Sequence, residues 1–431
     1  MNIQNIQRGH LSFFTTSVAL SLLIACGDDS DSSEALPLAD ADANADASNT
    51  QDSGVTEDDT STPMVAETLG LTQYWGRITP IPEPPEGDAA VFSFDINEGP
   101  ICMRGAQFRT SVRETPSEDL VIFMQGGGAC WSTFCLAVTG APAGVPRVDI
   151  LNPELEANPV RDWDVVYLPY CDGSFFSGDS SIDDNINDKG TRHHRGLANL
   201  TAALEVAALK FPSPRRVLLA GSSGGAYGLI LGTPLVRHYY PDAELLVIAD
   251  SGVGLGKDGD NSFVETIMEE FDLARFLPDD CPDCLARGHL TGLIGYYLER
   301  DENLKIAMFS SWYDSILANV FLQVPAESFA ESLKRETDLI ASNHPDRFRR
   351  FIIDGKQHTA LLGDPSGIIG TDFGAVEIPQ DIVSTLLGDL ELGGLETTSI
   401  DGVTVSEWLF AFVNGNTEGW VEKIEARTPL E

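Results

Sequence analysis

The chain has 431 residues, 42% of them hydrophobic and 8% aromatic, which suffices for one large or two ordinary globular domains and excludes disorder throughout. Its 66 acidic and 27 basic side chains give a formal charge of −39. That excludes nucleic acid as a partner, since affinity for a polyphosphate comes largely from Lys and Arg.

In chain order, the first segment holds a lone Arg8, an apolar run from about Leu11 to Ala25, and the sequence Leu23-Ile24-Ala25-Cys26. The run is too short for the ~20 residues that span a bilayer, and no later stretch reaches that length. It resembles a bacterial lipoprotein signal. The resemblance implies a cleaved peptide over 1–25 and acylation of Cys26, which would hold the mature protein to a membrane. A secreted protein with a chance Cys at that place is the rival reading. From Gly27 to Ala66 the chain turns to Asp, Ser, Ala, Thr and Asn, with 11 acidic residues and no basic one, so 26–66 is predicted to be an extended, self-repelling tether. The repeated Asp there lacks the spacing and the Gly turn of a calcium loop. The remainder, 67–431, reads as one domain; its 55 acidic and 26 basic side chains leave it at −29.

Six cysteines follow Cys26. An even number in an exported chain suggests disulfides, with Cys130–Cys135 and Cys281–Cys284 as local bridges and Cys102 left for Cys171. The Cys281-Pro282-Asp283-Cys284 motif has no second Cys or His pair at zinc-finger spacing, which disfavours a metal site.

Along the domain, β-rich runs at 120–124, 165–170, 217–220, 244–249, 305–309 and 347–353 alternate with helical segments at 197–210, 227–238, 262–275 and 326–342. Continuous apolar strands separated by helices predict an α/β fold, a mainly parallel central sheet with helices on both faces. In such sheets reactive groups collect beyond the carboxyl ends of the strands. Three glycines in Gln125 to Trp131 follow the first of these strands and offer unobstructed backbone N–H groups; Gly127 and Gly128 are the candidates for an oxyanion hole, completed by the N–H of Gly224. No Gly-Lys-Ser/Thr ending follows, which argues against a phosphate loop. Gly221-Ser222-Ser223-Gly224-Gly225 stands between a strand and a helix, the G-x-S-x-G context that lifts a serine hydroxyl clear of the sheet, and makes Ser223 the nucleophile candidate. The histidines downstream are His238, His289, His344 and His358. Only His358 lies on a loop just past a strand, which suits a base. For the orienting carboxylate, Asp314 and Asp250 both follow strands, and position gives Asp314 only a modest lead.

These pieces resemble the pectin acetylesterase and Notum family of serine carboxylesterases, whose fold is α/β-hydrolase-like. The resemblance covers roughly Trp75 to Leu362 and rests on ordered segments: MQGGGACWS from Met124, YCDGSFFSGD from Tyr170, HRG from His194, AGSSGGAYG from Ala220, ADSG from Ala249, YDSI from Tyr313 and DGKQHTAL from Asp354. It implies a triad of Ser223, Asp314 and His358, chooses Asp314 over Asp250, and points to Tyr170, Asp172 and Phe175, with Trp131, as pocket wall. It further implies a carboxylic ester hydrolase of the acetylesterase type that needs no metal or organic cofactor, its partner an ester such as an acetylated polysaccharide. Two departures stand out. Ala129 occupies a place usually held by a large aromatic, so a wider pocket is expected, and Gly224 replaces a common Ala, a mild change that keeps the N–H. An exported, lipid-anchored location follows from Cys26. The rival functions are an inactive surface-binding lipoprotein on a hydrolase scaffold and a lipid or polyester hydrolase with the same triad.

Overall fold

The computed structural model describes residues 65–184, 190–363, 376–377 and 390–430. The signal segment 1–25, Cys26 and the tether as far as residue 64 lie outside the described residues. The last two positions assigned to the tether already belong to helix α1 (Val65–Thr68), where Ala66 is fully buried.

The strands run β1 (Ile81–Glu86), β2 (Ala89–Ser93), β3 (Arg109–Arg113), β4 (Asp119–Met124), β5 (Gly128–Trp131), β6 (Phe134–Val138), β7 (Asp164–Leu168), β8 (Ser180–Asp184), β9 (Gly190–His194), β10 (Arg216–Ser222), β11 (Glu244–Asp250), β12 (Leu304–Ser311) and β13 (Phe348–Ile353). The further helices are α2 (Gly196–Lys210), α3 (Gly224–Tyr239), α4 (Ser262–Glu270), α5 (Thr291–Arg300) and α6 (Ala326–Asn343). A ten-stranded sheet has the order β1-β2-β3-β7-β4-β10-β11-β12-β13, closed by the short strand Lys423–Ile424. From β7 onward every pairing is parallel, whereas β1, β2 and β3 form an antiparallel edge. The expected α/β architecture is therefore present, with an antiparallel extension that the apolar runs do not announce. β1 reads Ile-Pro-Glu-Pro-Pro-Glu and is largely exposed, which only an edge strand tolerates, because proline cannot donate to a ladder.

The period of two along the strands divides the interior into two cores. Leu120, Ile122, Met124, Val217, Leu219, Leu245 and Val247 face one side, while Val121, Phe123, Leu218, Ala220, Leu246 and Ile248 face the other. α2, α3, α5 and α6 cover the first side. Eleven of the fifteen α2 residues are buried, seven of them Ala or Leu, as a helix between sheet and outer layer requires. The second side is closed by the irregular stretch 145–163 and by the C-terminal helix Val405–Val413, whose Trp408 is 1% exposed and packs on Phe351. That helix begins with a capping box, Thr404 Oγ1 accepting from Glu407 N–H and Glu407 returning to the Thr404 backbone N–H. Beyond it the tail is strapped to the sheet's carboxyl edge. Trp312 Nε1 donates to Glu425 O (2.9 Å), Tyr313 Oη donates to Thr428 O (2.6 Å), and Asp354 N–H donates to a Glu425 carboxylate oxygen (2.7 Å).

The disulfides are Cys102–Cys171, Cys130–Cys135 and Cys281–Cys284, the pairing expected from spacing. Among the described residues no helix is long and apolar enough to cross a membrane.

Candidate active site

Because β4, β10, β11, β12 and β13 are parallel, their carboxyl ends meet at one edge. In register, Gly221 faces Met124, Ser222 faces Asp250, Asp250 faces Phe309 and Ser311 faces Ile353. The loops carrying the glycine run, the serine, both candidate carboxylates and His358 therefore leave the sheet side by side.

Ser223 sits between β10 and α3 at φ 54°, ψ −120°, a backbone that side chains other than glycine rarely adopt. Its N–H is held by the carbonyl of Asp250 at 2.8 Å, which fixes the sharp turn, and the side chain stands at the amino end of α3, where partial positive charge favours a developing anion. Asp314 is fully buried past β12. Its Oδ1 accepts from the N–H groups of Ile316 (3.1 Å) and Leu317 (2.9 Å), at the start of the π-helical turn Ile316–Leu322. His358, past β13 and 1% exposed, brings Nδ1 to 2.8 Å from Asp314 Oδ2 and 3.0 Å from Oδ1. Those carboxylate oxygens accept the Nδ1 proton, so the lone pair belongs to Nε2. Nε2 is buried and has no hydrogen-bond partner among the described residues. No hydrogen bond joins it to Ser223 Oγ among the described residues, as is common for a nucleophile and base before substrate draws them together.

Asp250, the competitor for the acid, occupies a different place. It is buried beneath the serine turn, its Oδ2 accepting from Ser222 Oγ (2.6 Å) and its Oδ1 from the N–H of Ala360 (2.8 Å). Burial pushes its carboxyl up to about 6, against which the hydrogen bonds from Ser222 and Ala360 work. No hydrogen bond joins it to the His358 ring among the described residues.

Gly127 and Gly128 follow β4, and Gly224 opens α3. Gly128 has φ 79°, and a Cβ there would lie 2.0 Å from the Leu136 carbonyl oxygen, so only glycine fits this close approach of the two hairpin strands. A Cβ on Gly224 would lie 2.7 Å from Gly128 O. Gly224 in place of Ala is thus a matched change here, since it admits Gly128 against the serine turn. The cross-strand pair Cys130–Cys135 locks the β5–β6 hairpin that carries Gly128, and Glu270 grips its tip through Ser132 N–H at 2.9 Å.

Ser223, Gly128 and Gly224 share a small apolar pocket of about 20 Å³ with Phe134, Leu136, Phe175, Tyr227, Ile316, Leu317, Val320 and Phe321. Phe321 is its hub, with ring centroids 5.4–6.0 Å from those of Trp131, Phe134, Phe175, Tyr227 and Phe263. Of the four residues expected in the wall, Phe175 lines the pocket. Trp131 stacks behind it on Phe134, centroids 4.7 Å apart. Tyr170 backs the glycine run, its ring 2.4 Å from where a Gly127 Cβ would be, and its Oη accepts from Phe175 N–H (3.1 Å). Asp172 is turned inward, accepting from Ser174 N–H and Oγ and from Phe176 N–H, with its carboxyl raised by burial. It shapes the loop that presents Phe175. Ala129 is fully buried opposite Leu136 and does not line the pocket, so its small side chain does not produce the wider space expected; Phe321 and Phe134 fill that region. Larger clefts lie elsewhere, such as one of about 570 Å³ between α5 and α6, and it contains none of the triad candidates. Tyr227 and Ile316 lie at the ends of the AGSSGGAYG and YDSI segments without being singled out there, and Leu317, Val320 and Phe321 carry no local signature beyond an apolar stretch after Asp314.

Comparison with known proteins bears on the same segments. The pectinacetylesterase family model matches residues 95–344, which include the glycine run, Ser223 and Asp314 and stop short of His358. Pectin acetylesterase 4 of Arabidopsis thaliana is 25% identical over 148 residues, 32% of this chain. The match spans 36% of that relative's own length, little more than a third. With more than half of its residues inside the family model, and with the glycine run, the serine turn and Asp314 gathered at one sheet edge, the chain belongs to the pectinacetylesterase family.

Proposed function

We propose that this chain is an exported serine carboxylesterase that removes short acyl groups, acetyl above all, from an acetylated polysaccharide outside the cell. Ser223 Oγ attacks the ester carbonyl while His358 Nε2 takes its proton. The tetrahedral oxyanion is held by backbone N–H groups of Gly127, Gly128 and Gly224, and collapse expels the alcohol with the proton from His358. Water activated by the same imidazole then releases the acid. Asp314 keeps the His358 proton on Nδ1 throughout. The observation that carries this reading is the buried His358–Asp314 pair, with Nε2 unengaged, on the sheet edge that also bears a serine at positive φ. The small, aromatic-walled pocket beside Ser223 favours acetyl over a long acyl chain. A domain at −29 repels polyanionic pectin at long range, though screening within ~8–10 Å leaves docking open, so an acetylated neutral glycan suits the charge at least as well.

The proposed organisation is a signal peptide over 1–25, a tether over 26–64 acylated at Cys26, and one esterase domain that starts with α1 at Val65. Three disulfides support an oxidising compartment. Replacement of Cys26 by Ala should move the protein from the membrane fraction to the soluble one. The activity is tested with p-nitrophenyl esters from acetate to palmitate on wild type and Ser223→Ala, together with acetate release from a panel of acetylated glycans. Turnover of acetate lost in Ser223→Ala supports the reading. No turnover in either protein would point to a binding module, and a preference for palmitate to a lipid or polyester hydrolase.

A further inference from the structure

We infer that Asp250 is a positioning residue of this site, whose carboxylate, with the adjacent Ser251 hydroxyl, clamps the loop after His358 to the serine turn so that imidazole and nucleophile are carried on one rigid joint. The inference rests on the esterase reading above. Three successive backbone N–H groups follow His358, and all three are held from β11 and the residue after it. Thr359 N–H donates to Ser251 Oγ (2.9 Å), Ala360 N–H to Asp250 Oδ1 (2.8 Å) and Leu361 N–H to Asp250 Oδ2 (3.2 Å). The same Oδ2 accepts from Ser222 Oγ (2.6 Å), and the Asp250 carbonyl accepts from Ser223 N–H (2.8 Å). One residue thus bonds to both sides of the reacting pair and touches neither reacting atom.

The joint is strained on all its arms. Ser223, Ser251 and Thr359 have φ of 54°, 56° and 65°, and such backbones persist only where the surroundings over-determine them. Ser251 N–H, bonded to Phe309 O at 3.0 Å, ties the clamp to β12, the strand that leads to Asp314. A buried carboxylate is costly, and an apolar residue of like volume would pack the same space at less expense. Its retention is explained by acceptor capacity, since a carboxylate alone offers two oxygens to three donors that converge from two loops. Of the groups facing it from β10, β12 and the His358 loop, the one ionisable group with a through-space influence is His358.

The test is Asp250→Asn in the full chain, assayed with p-nitrophenyl acetate and normalised to nucleophile titrated by a fluorophosphonate. The amide keeps the shape but turns one acceptor into a donor, so either Ala360 N–H or Leu361 N–H faces another N–H. A displacement of about 1 Å costs on the order of 10²-fold, so kcat per titrated site should fall about 10- to 100-fold with KM within about twofold. Loss of the negative charge beside His358 should also move the acid limb of the kcat/KM profile to lower pH, which a residue that merely supports the fold would not do. If Asp250→Asn does not fold, Ser251→Ala removes only the Thr359 anchor, and a several-fold fall in kcat at unchanged melting temperature is the expected result. Wild-type kcat per site and an unmoved acid limb in the folded variant overturn the inference while leaving the esterase reading intact. An inactive wild type, or an active Ser223→Ala, overturns the esterase reading and this inference with it.

Discussion

Replacing Phe321 by Ala tests what the pocket beside Ser223 holds. The ring is 8% exposed and meets five other aromatic rings, so its removal should cost about 3–5 kcal/mol of stability. Assays should therefore be run well below the lowered melting point and normalised to titrated nucleophile. The space left by six ring carbons adds to a pocket of only about 20 Å³ shared with Ser223, Gly128 and Gly224. An acyl chain that enters it gains about 0.8 kcal/mol per buried methylene, roughly fourfold in kcat/KM. Butyryl has two methylenes more than acetyl, so the butyryl-to-acetyl ratio of kcat/KM should rise about 15-fold over wild type. Hexanoyl, with two more, should gain up to about 200-fold relative to acetyl if the vacated volume is used in full. The assay is the p-nitrophenyl series from acetate to octanoate. A ratio within about twofold of wild type, in a variant that still titrates, would refute the assignment of this pocket to the acyl group.

Other outcomes follow from the same geometry. Asp314→Asn should lower kcat by about 10⁴ with little change in KM, because an amide at 2.8 Å from His358 Nδ1 favours the wrong tautomer. Gly224→Ala, conservative on paper, should lower kcat by up to about 10² by pushing Gly128 from its place, seen as slower acylation by p-nitrophenyl acetate. Removing Cys102–Cys171, which closes a loop of about 70 residues, should cost up to about 4 kcal/mol, read by urea unfolding of the Cys102→Ala/Cys171→Ala variant. Asp250 carries a stability signature as well. Its native carboxyl is pushed up to about 6 from 3.8, so it binds its proton more tightly than the unfolded chain does. That contribution is fully present below pH 3.8 and is lost as pH rises through about 6; relative to Asp250→Asn, wild type should lose about 3 kcal/mol between pH 4 and pH 7.

The parts of the site that were legible in the sequence are those with a short-range cause. The serine turn needs small neighbours, the glycine run needs backbone freedom, and both follow apolar strands that fit no half-exposed setting, so their places could be read directly. The parallel sheet was legible for the same reason. What escaped notice depends on contacts distant in the chain. Position gives Asp314 only a modest lead over Asp250; the family resemblance picks Asp314, and the contact of His358 with Asp314, 44 residues away, shows the physical reason. Asp172 looks like a pocket residue because it is polar and sits in a motif, yet its Oδ2 is used by Ser174 and Phe176 of its own loop. Phe321 lies in a π-helical turn whose period matches neither helix nor strand patterning, so nothing local marks it as the hub of the pocket. The proline-rich β1 carries no strand signal at all and is a strand only because β2 pairs with it.

The strapping of the tail has a consequence for biosynthesis. The residues that brace Trp312 and Tyr313, immediately before Asp314, are Glu425 and Thr428, which follow His358 by more than sixty positions, and the helix Val405–Val413 that helps close one side of the sheet comes just before them. A ribosome-bound chain carries Ser223 and His358 long before it carries the segment that holds the acid in line. A cleavage anywhere between His358 and Glu425 would therefore leave Ser223, Asp314 and His358 present but take away the segment that braces Trp312 and Tyr313.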